Sequence, residues 1–247
     1  MSKSIIIFGF HAVQAQLETN PQQILNAFTL QNRNDKRLGE ISAGLHQMGI
    51  HTQKCDKQQL DKITQNQSHQ GIVIEILPAA LPNQDGLMEY ISKSQRLNLI
   101  LILDSIQDPR NLGACLRSAN AAGVDCVIIN KNGSAPVNDL VYKAAAGALN
   151  QLKIFAVSNL SRTIKALKEQ NIWVVGLDAA SEKSIYSTDL TGVIAVVMGA
   201  EGGGLRRLTK VMCDELITIP MLGNVASLNV SVATGISLFE ANRQRQI

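Results

Sequence analysis

From Leu99 onward, short continuous apolar runs alternate with segments whose apolar residues recur at helical spacing. The runs are "LILILDS" from Leu99, "CVIIN" from Cys126, "IWVVGLD" from Ile172, "VIAVVMG" from Val193 and "LITIPM" from Leu216. Helical patterns fall between them, near Leu112 to Ala122, Asp139 to Leu149, Arg162 to Gln170, Leu205 to Cys213 and Val230 to Arg243. Strands that are apolar on both faces belong in a parallel sheet covered on both sides, so the pattern predicts an α/β fold with helices on both faces. Ahead of it, helices are expected around His11 to Glu18 and Lys36 to Met48, with the apolar strands "IIIFGF" and "GIVIEIL" at either end of a small α/β unit. The stretch "LPAALPNQDG", Leu77 to Gly86, carries two prolines and a turn-forming Asn-Gln-Asp-Gly, which sets the expected boundary. The expected organisation is an N-terminal domain over 1–77, a linker over 78–95 and a larger domain over 96–247.

Three of the strands run into loops rich in polar residues or glycine, where an open α/β sheet binds its ligands. In "LDSIQDPRNLGACLRSANAAG", Asp108-Pro109 marks a turn, Asn111 is placed to cap a helix, and Arg117 lies six residues further on, about 9 Å along the axis. Helical side chains lean back toward the N-terminus, so the Arg117 guanidinium is within reach of the mouth. In "VVMGAEGGGLRRLTK", Gly199, Gly202, Gly203 and Gly204 bracket Glu201, without the lysine of a P-loop or the G-x-G-x-x-G spacing of a dinucleotide site. A carboxylate there repels phosphate and suits a cationic ligand or a hydroxyl. In "IPMLGNVASLNVSVATG", the chain loosens through Gly223 and Asn224, and Ser227-Leu228-Asn229 opens the last helix.

The 247 residues are 45% hydrophobic and 17% charged, which is ordinary for a globular protein and argues against disorder. A formal charge of +3 suits an anionic partner without requiring one. One Trp, three Tyr and five Phe are too few for a surface of stacked bases, so nucleic-acid contact has to rest on phosphate and shape. Cys55, Cys115, Cys126 and Cys213 are scattered without a C-x-x-C pair, which fits a reducing cytoplasmic compartment. The four histidines all precede residue 70 and lack metal-ligand spacing, so no metal is expected. Neither a cleavable leader nor the ~18 apolar residues of a membrane span is expected.

Taken in order, "LDSIQDPRNLGACLRSA", "VVMGAEGGGL" and "IPMLGNVASLNVSVATG" resemble the three signature motifs of the SpoU (TrmH) family of RNA ribose 2′-O-methyltransferases, in the SPOUT superfamily. "FGFHAVQAQLE" and "SHQGIVIEI" are similar to the substrate-binding domain of those bacterial family members that act on guanosine riboses of 23S ribosomal RNA. The resemblance implies methylation of such a guanosine with S-adenosyl-L-methionine as cofactor. It also implies a homodimer with active sites at the subunit interface, and a C-terminal trefoil knot that ordinary topology rules would not have suggested. It places catalytic positions at Asn111, Arg117, Glu201, Ser227 and Asn229, and cofactor contacts at Gly199, Ile219, Met221, Gly223 and Leu228. Two departures from the pattern are Gly202-Gly203-Gly204, where Gly-Glu-Gly is more usual, and Arg110 in place of a histidine.

An RNA grip is expected from the N-terminal domain together with Arg33, Lys36, Arg37, Arg110, Arg206 and Arg207. Two rivals make distinct forecasts. An NAD-dependent oxidoreductase needs an early G-x-G-x-x-G followed by an acidic residue, and "DPRNLGACLRS" offers neither. A catalytically silent RNA-binding or ribosome-assembly protein would bind neither NAD nor S-adenosylmethionine.

Overall fold

The structure, a computed structural model, describes residues 4–33, 35–94 and 96–245. It divides into two compact units, Met1–Ala80 with Val137–Gln151, and Leu81–Pro136 with Leu152–Ile247.

In the first unit the elements are β1 (Ile5–Phe8), α1 (Phe10–Thr19), β2 (Ile24–Leu30), α2 (Lys36–Gln47), β3 (Thr52–Cys55), α3 (Lys57–Ile63) and β4 (Ile72–Ile76). They form a four-stranded mixed sheet in the order β1-β4-β2-β3, antiparallel except for β2 with β3. The helices start where short polar side chains meet free backbone N–H groups: Asp35 accepts from Leu38 N, and Asp56 forms a capping box with Gln59. The first and last strands in the chain, β1 and β4, match the two apolar runs of the sequence; β2 and β3, with burial patterns broken by exposed residues, carried no comparable run.

The second unit begins with α4 (Gln84–Lys93), β5 (Leu99–Asp104), α5 (Pro109–Ala121) and β6 (Cys126–Asn130). There follow α6 (Asp139–Ala145), which belongs to the first unit and packs on β1, and then β7 (Ile154–Val157), α7 (Leu160–Glu169) and β8 (Trp173–Leu177). Last come β9 (Ile194–Gly199), α8 (Arg207–Met212), β10 (Glu215–Ile217) and α9 (Val230–Gln244). All six strands of its sheet are parallel, in the order β10-β8-β9-β5-β6-β7. Every residue of β5 and β6 is buried, as strands flanked on both faces must be. Alternation divides the core: Ile100, Ile102, Ile128, Val174 and Val197 pack with Leu87 and Ile91 of α4 and Leu160, Ile164 and Leu167 of α7. The intervening side chains of the strands point to the opposite face, where α9 packs on β9 and α5 packs on α9.

Four local expectations change. Gln84–Lys93, within the expected linker, is helical because Asn83 accepts from Asp85 N and Gly86 N, and its Leu87 and Ile91 are buried. The helix expected to run to Leu149 stops at Ala145, where Ala146 and Gly147 take positive φ (50° and 92°). The strand β7 was too short for its pattern to register beside its neighbours. Asn111 does not cap its helix: Asp108, one residue before Pro109, accepts from Arg110 N and Asn111 N, leaving the Asn111 side chain free for other work. Among the described residues no helix is long and apolar enough to cross a membrane, and no group of His, Cys, Asp or Glu is arranged to hold a metal.

Candidate active site

Because the large sheet is parallel, the loops after β5, β9 and β10 leave it at the same edge. Asp104 and Gly199 are register partners, so the first two loops start side by side. The third starts from the edge strand β10, yet the side chain at its end reaches the first: Asn229 Nδ2 donates to Asn111 Oδ1 at 3.0 Å. Asn111 Nδ2 in turn donates to Glu201 Oε2 at 2.7 Å, and Asn229 Nδ2 lies 3.5 Å from Glu201 Oε1. Three positions separated by up to 118 residues therefore share one network.

Asn229 does two jobs. Its Oδ1 accepts from Ser231 N (2.9 Å) and Ser231 Oγ (2.6 Å), capping α9, while its amide nitrogen serves the network. Ser227, expected to open that helix, instead lies two residues before the cap, exposed, with no hydrogen bond among the described residues. Arg117 is also exposed and makes neither hydrogen bond nor ion pair there. Six residues of helix set it about 120° around α5 from Asn111, so it is not part of the network.

The second loop is held by backbone. Ala200 N donates to Gly204 O (3.1 Å) and Gly204 N to Ala200 O (2.8 Å), closing a turn with Glu201 at its tip. A Cβ on Gly199 would sit 2.1 Å from Gly204 C, so that position admits only glycine, and Gly202 and Gly204 take positive φ (75° and 61°). The third loop is the opposite. From Met221 to Leu228 its backbone makes no backbone hydrogen bond among the described residues, and the Leu222 side chain is fully exposed. Of the expected cofactor positions, Ile219, Met221 and Leu228 are half-buried and Gly223 is exposed, and from Met221 to Leu228 the backbone N–H and C=O groups have no protein partner among the described residues.

Asp104, Ser105 and Asn130, at this edge, escaped the sequence reading. Asp104 is completely buried and paired with Arg206. Ser105 adopts φ 62°, with its N–H donated to Asn130 Oδ1 at 2.9 Å. A carboxylate ending a wholly apolar strand, as in "LILILD", is the one signal that marked Asp104 in advance.

The basic residues divide as well. Arg110 and Arg207 are exposed and unpaired among the described residues, whereas Arg206 is committed to Asp104. In the first unit the Arg33 and Arg37 guanidiniums stand 5.3 and 5.2 Å from the centre of the Phe10 ring. Arg33 pairs with Asp35, and Arg37 bonds His11 through Nη2 at 3.1 Å; Lys36 is almost wholly exposed. No cysteine offers a thiolate here: burial pushes Cys115 up to about 11, Cys126 to about 12 and Cys213 to about 12, with Asp125 and Asp214 adding to the last two.

The SpoU rRNA Methylase family model matches residues 98–239, and the model for RNA 2′-O ribose methyltransferase substrate binding matches 6–82. The chain is 48% identical over 242 residues to the 23S rRNA (guanosine-2′-O-)-methyltransferase RlmB of Pectobacterium atrosepticum, covering 98% of this chain and 99% of that one. It is 47% identical, with the same coverage, to the protein of that name in Escherichia coli K12. In fold it matches the crystal structure of the SpoU methyltransferase AviRb from Streptomyces viridochromogenes in complex with AdoMet, with a TM-score of 0.81 and 21% identity over 98% of this chain and 91% of that chain.

Proposed function

Because the chain belongs to the SpoU rRNA methylase family, we propose that it methylates the 2′-oxygen of a guanosine ribose in 23S ribosomal RNA. It works as a homodimer in the cytoplasm, with S-adenosylmethionine as donor. The observation that carries this reading is the Asn111–Glu201–Asn229 network, which gathers three distant motif loops at the ligand-binding edge of the sheet. In the same reading, 1–77 grips RNA, and 96–247, against which α4 of the expected 78–95 linker packs, is the methyltransferase domain with the knot of its family.

The residues present fit the donor. A loop whose backbone N–H and C=O groups are unspent among the described residues, Met221 to Leu228, suits the edges of an adenine, with Gly223 allowing close approach and Gly199, Ile219, Met221 and Leu228 lining the same site. The donor, when bound, supplies a methyl group on a positively charged sulfur. Glu201 adds negative charge at the same edge, which favours a cation there.

The five catalytic candidates separate by what their polar atoms already do. Asn111, Glu201 and Asn229 are engaged with one another and hold the loops in shape. The Ser227 hydroxyl and the Arg117 guanidinium have no protein partner among the described residues, so these two are available to substrate. A ribose hydroxyl must lose its proton as its oxygen is methylated, and no histidine follows residue 69 to take it. Arginine stays charged, with a pKa above ~12, and is a poor base. Arg117 therefore binds the phosphate beside the target ribose and stabilises charge developing on the oxygen, while the proton leaves to phosphate or water. Ser227 orients the hydroxyl. Arg117 lies on a different face of α5 from Asn111, which favours its serving a site completed by the second subunit.

RNA is held by Arg33 and Arg37 beside Phe10, by the exposed Lys36, and by Arg110 and Arg207, through phosphate. The test is methyl transfer to a 23S transcript by purified wild-type, Arg117→Lys and Arg117→Ala proteins, with donor affinity measured separately by calorimetry. Arg117→Ala is expected to lose at least about a hundredfold in kcat, with donor affinity unchanged. Near-normal turnover of Arg117→Ala would remove Arg117 from this role.

A further inference from the structure

We infer that Asp104 and Arg206 form a positioning clamp that sets the Glu201 loop for methyl transfer, and that Arg206, despite its charge, is not an RNA contact. The inference rests on the reading of the site given above. Asp104 ends β5 and is completely buried, an environment that a carboxylate tolerates only when paired. Its partner is unambiguous: Arg206 Nε lies 2.7 Å from Oδ1, and Arg206 N donates to Oδ2 at 3.1 Å. Both carboxylate oxygens thus hold one residue, once through its side chain and once through its backbone. Ser105 Oγ adds a third bond at 3.2 Å.

That residue is the exit of the second loop. The entrance, Gly199, is already fixed beside Asp104 in the sheet, and the Ala200–Gly204 hydrogen bonds close the turn between them. With the exit tied to the carboxylate of the adjacent strand, the three glycines 202–204 cannot swing the Glu201 tip away from Asn111 and Asn229. The helix that follows is pinned further by Lys210, whose Nζ is 2.6 Å from Asp178 Oδ2 after β8. Arg206 therefore spends its charge inward, although its side chain is half exposed, while the adjacent Arg207 and the more distant Arg110 remain unpaired among the described residues. Neutralising a buried carboxylate and binding a phosphate compete for the same guanidinium.

The experiment is a double-mutant cycle on the full-length protein: wild type, Asp104→Asn, Arg206→Met and the double variant, with Arg206→Lys alongside. It reads kcat and RNA KM for methyl transfer, and RNA affinity against salt. A clamp predicts that each single change lowers kcat about tenfold to a hundredfold, as small misplacements do. It further predicts that the double variant is no slower than the slower single, that Arg206→Lys recovers part of the loss, and that the salt slope of RNA binding is unchanged. Multiplicative losses in the double variant would overturn the inference. So would an Arg206→Met protein with wild-type kcat and a salt slope shallower by about one phosphate. Should Asp104→Asn fail to fold, Arg206→Met against Arg206→Lys decides alone: the clamp requires kcat to fall in the first and recover in the second. A wild-type protein without methyl transfer would sink the underlying reading, whereas an active wild type with an unaffected Arg206→Met sinks only the clamp.

Discussion

The loops after β9 and β10 meet at one site but are built by opposite means. The first is braced at its entrance by a glycine that admits no side chain, across its middle by paired backbone hydrogen bonds, and at its exit by a buried carboxylate. The second spends no backbone hydrogen bond from Met221 to Leu228 among the described residues, and carries Leu222 fully in solvent. A carboxylate that must point at two amides has to be held beforehand, since any wandering is lost alignment. A loop that is itself to wrap a ligand does better with its hydrogen-bonding groups unspent, and gains order when the ligand arrives.

The sharpest way to break the braced loop is Gly199→Ala. The new methyl would meet backbone at 2.1 Å, and backbone cannot yield as a side-chain tip can. The expected cost is about 3 kcal/mol or more of stability with methyl transfer abolished, read by thermal unfolding and activity together. An Ala variant that melts and turns over as wild type would mean the loop is not closed in this way.

Asn229→Asp is next, and separates the two jobs of one side chain. The carboxylate still accepts from Ser231 N, so α9 keeps its cap and the melting temperature moves little. It can no longer donate to Asn111 and it faces the Glu201 carboxylate, so kcat should drop about tenfold to a hundredfold. Equal loss of stability and activity would show that the network serves only the fold.

The smallest effect belongs to the open loop. Leu222→Ala removes a side chain that touches nothing in the folded unit, and the melting midpoint is expected to shift by no more than about 0.5 kcal/mol equivalent. A large loss would reveal packing that a fully exposed residue cannot have within one chain.

The sequence disclosed these regions unevenly. The large sheet was legible because its strands are apolar on both faces, so runs such as "LILILD" stand out with no periodicity to interpret. In the small unit β2 and β3 were obscured, since strands with exposed residues among buried ones read as ordinary mixed sequence. The three motif loops were visible as polar and glycine-rich breaks, and the residues that meet in the Asn111–Glu201–Asn229 network were named from them. What they do was less visible. Asn111 looked like a cap until Asp108 took that place, and within Ser227-Leu228-Asn229, read as opening the last helix, it is Asn229 that caps it. Arg206 looked like one more surface charge, because nothing in the order of residues brings it to a carboxylate 102 positions earlier. Side-chain partnerships over such separations are set by strand order, and strand order is a property of the folded sheet.

Hydrogen exchange at short labelling times, with and without S-adenosylmethionine, tests the contrast between the loops and the donor site together. Protection newly acquired by the amides from Met221 to Leu228, while the bonded amides of Ala200, Gly204 and Arg206 exchange slowly in both states, is the predicted result. No change in the third loop at saturating donor, or protection gained only elsewhere, would contradict the account.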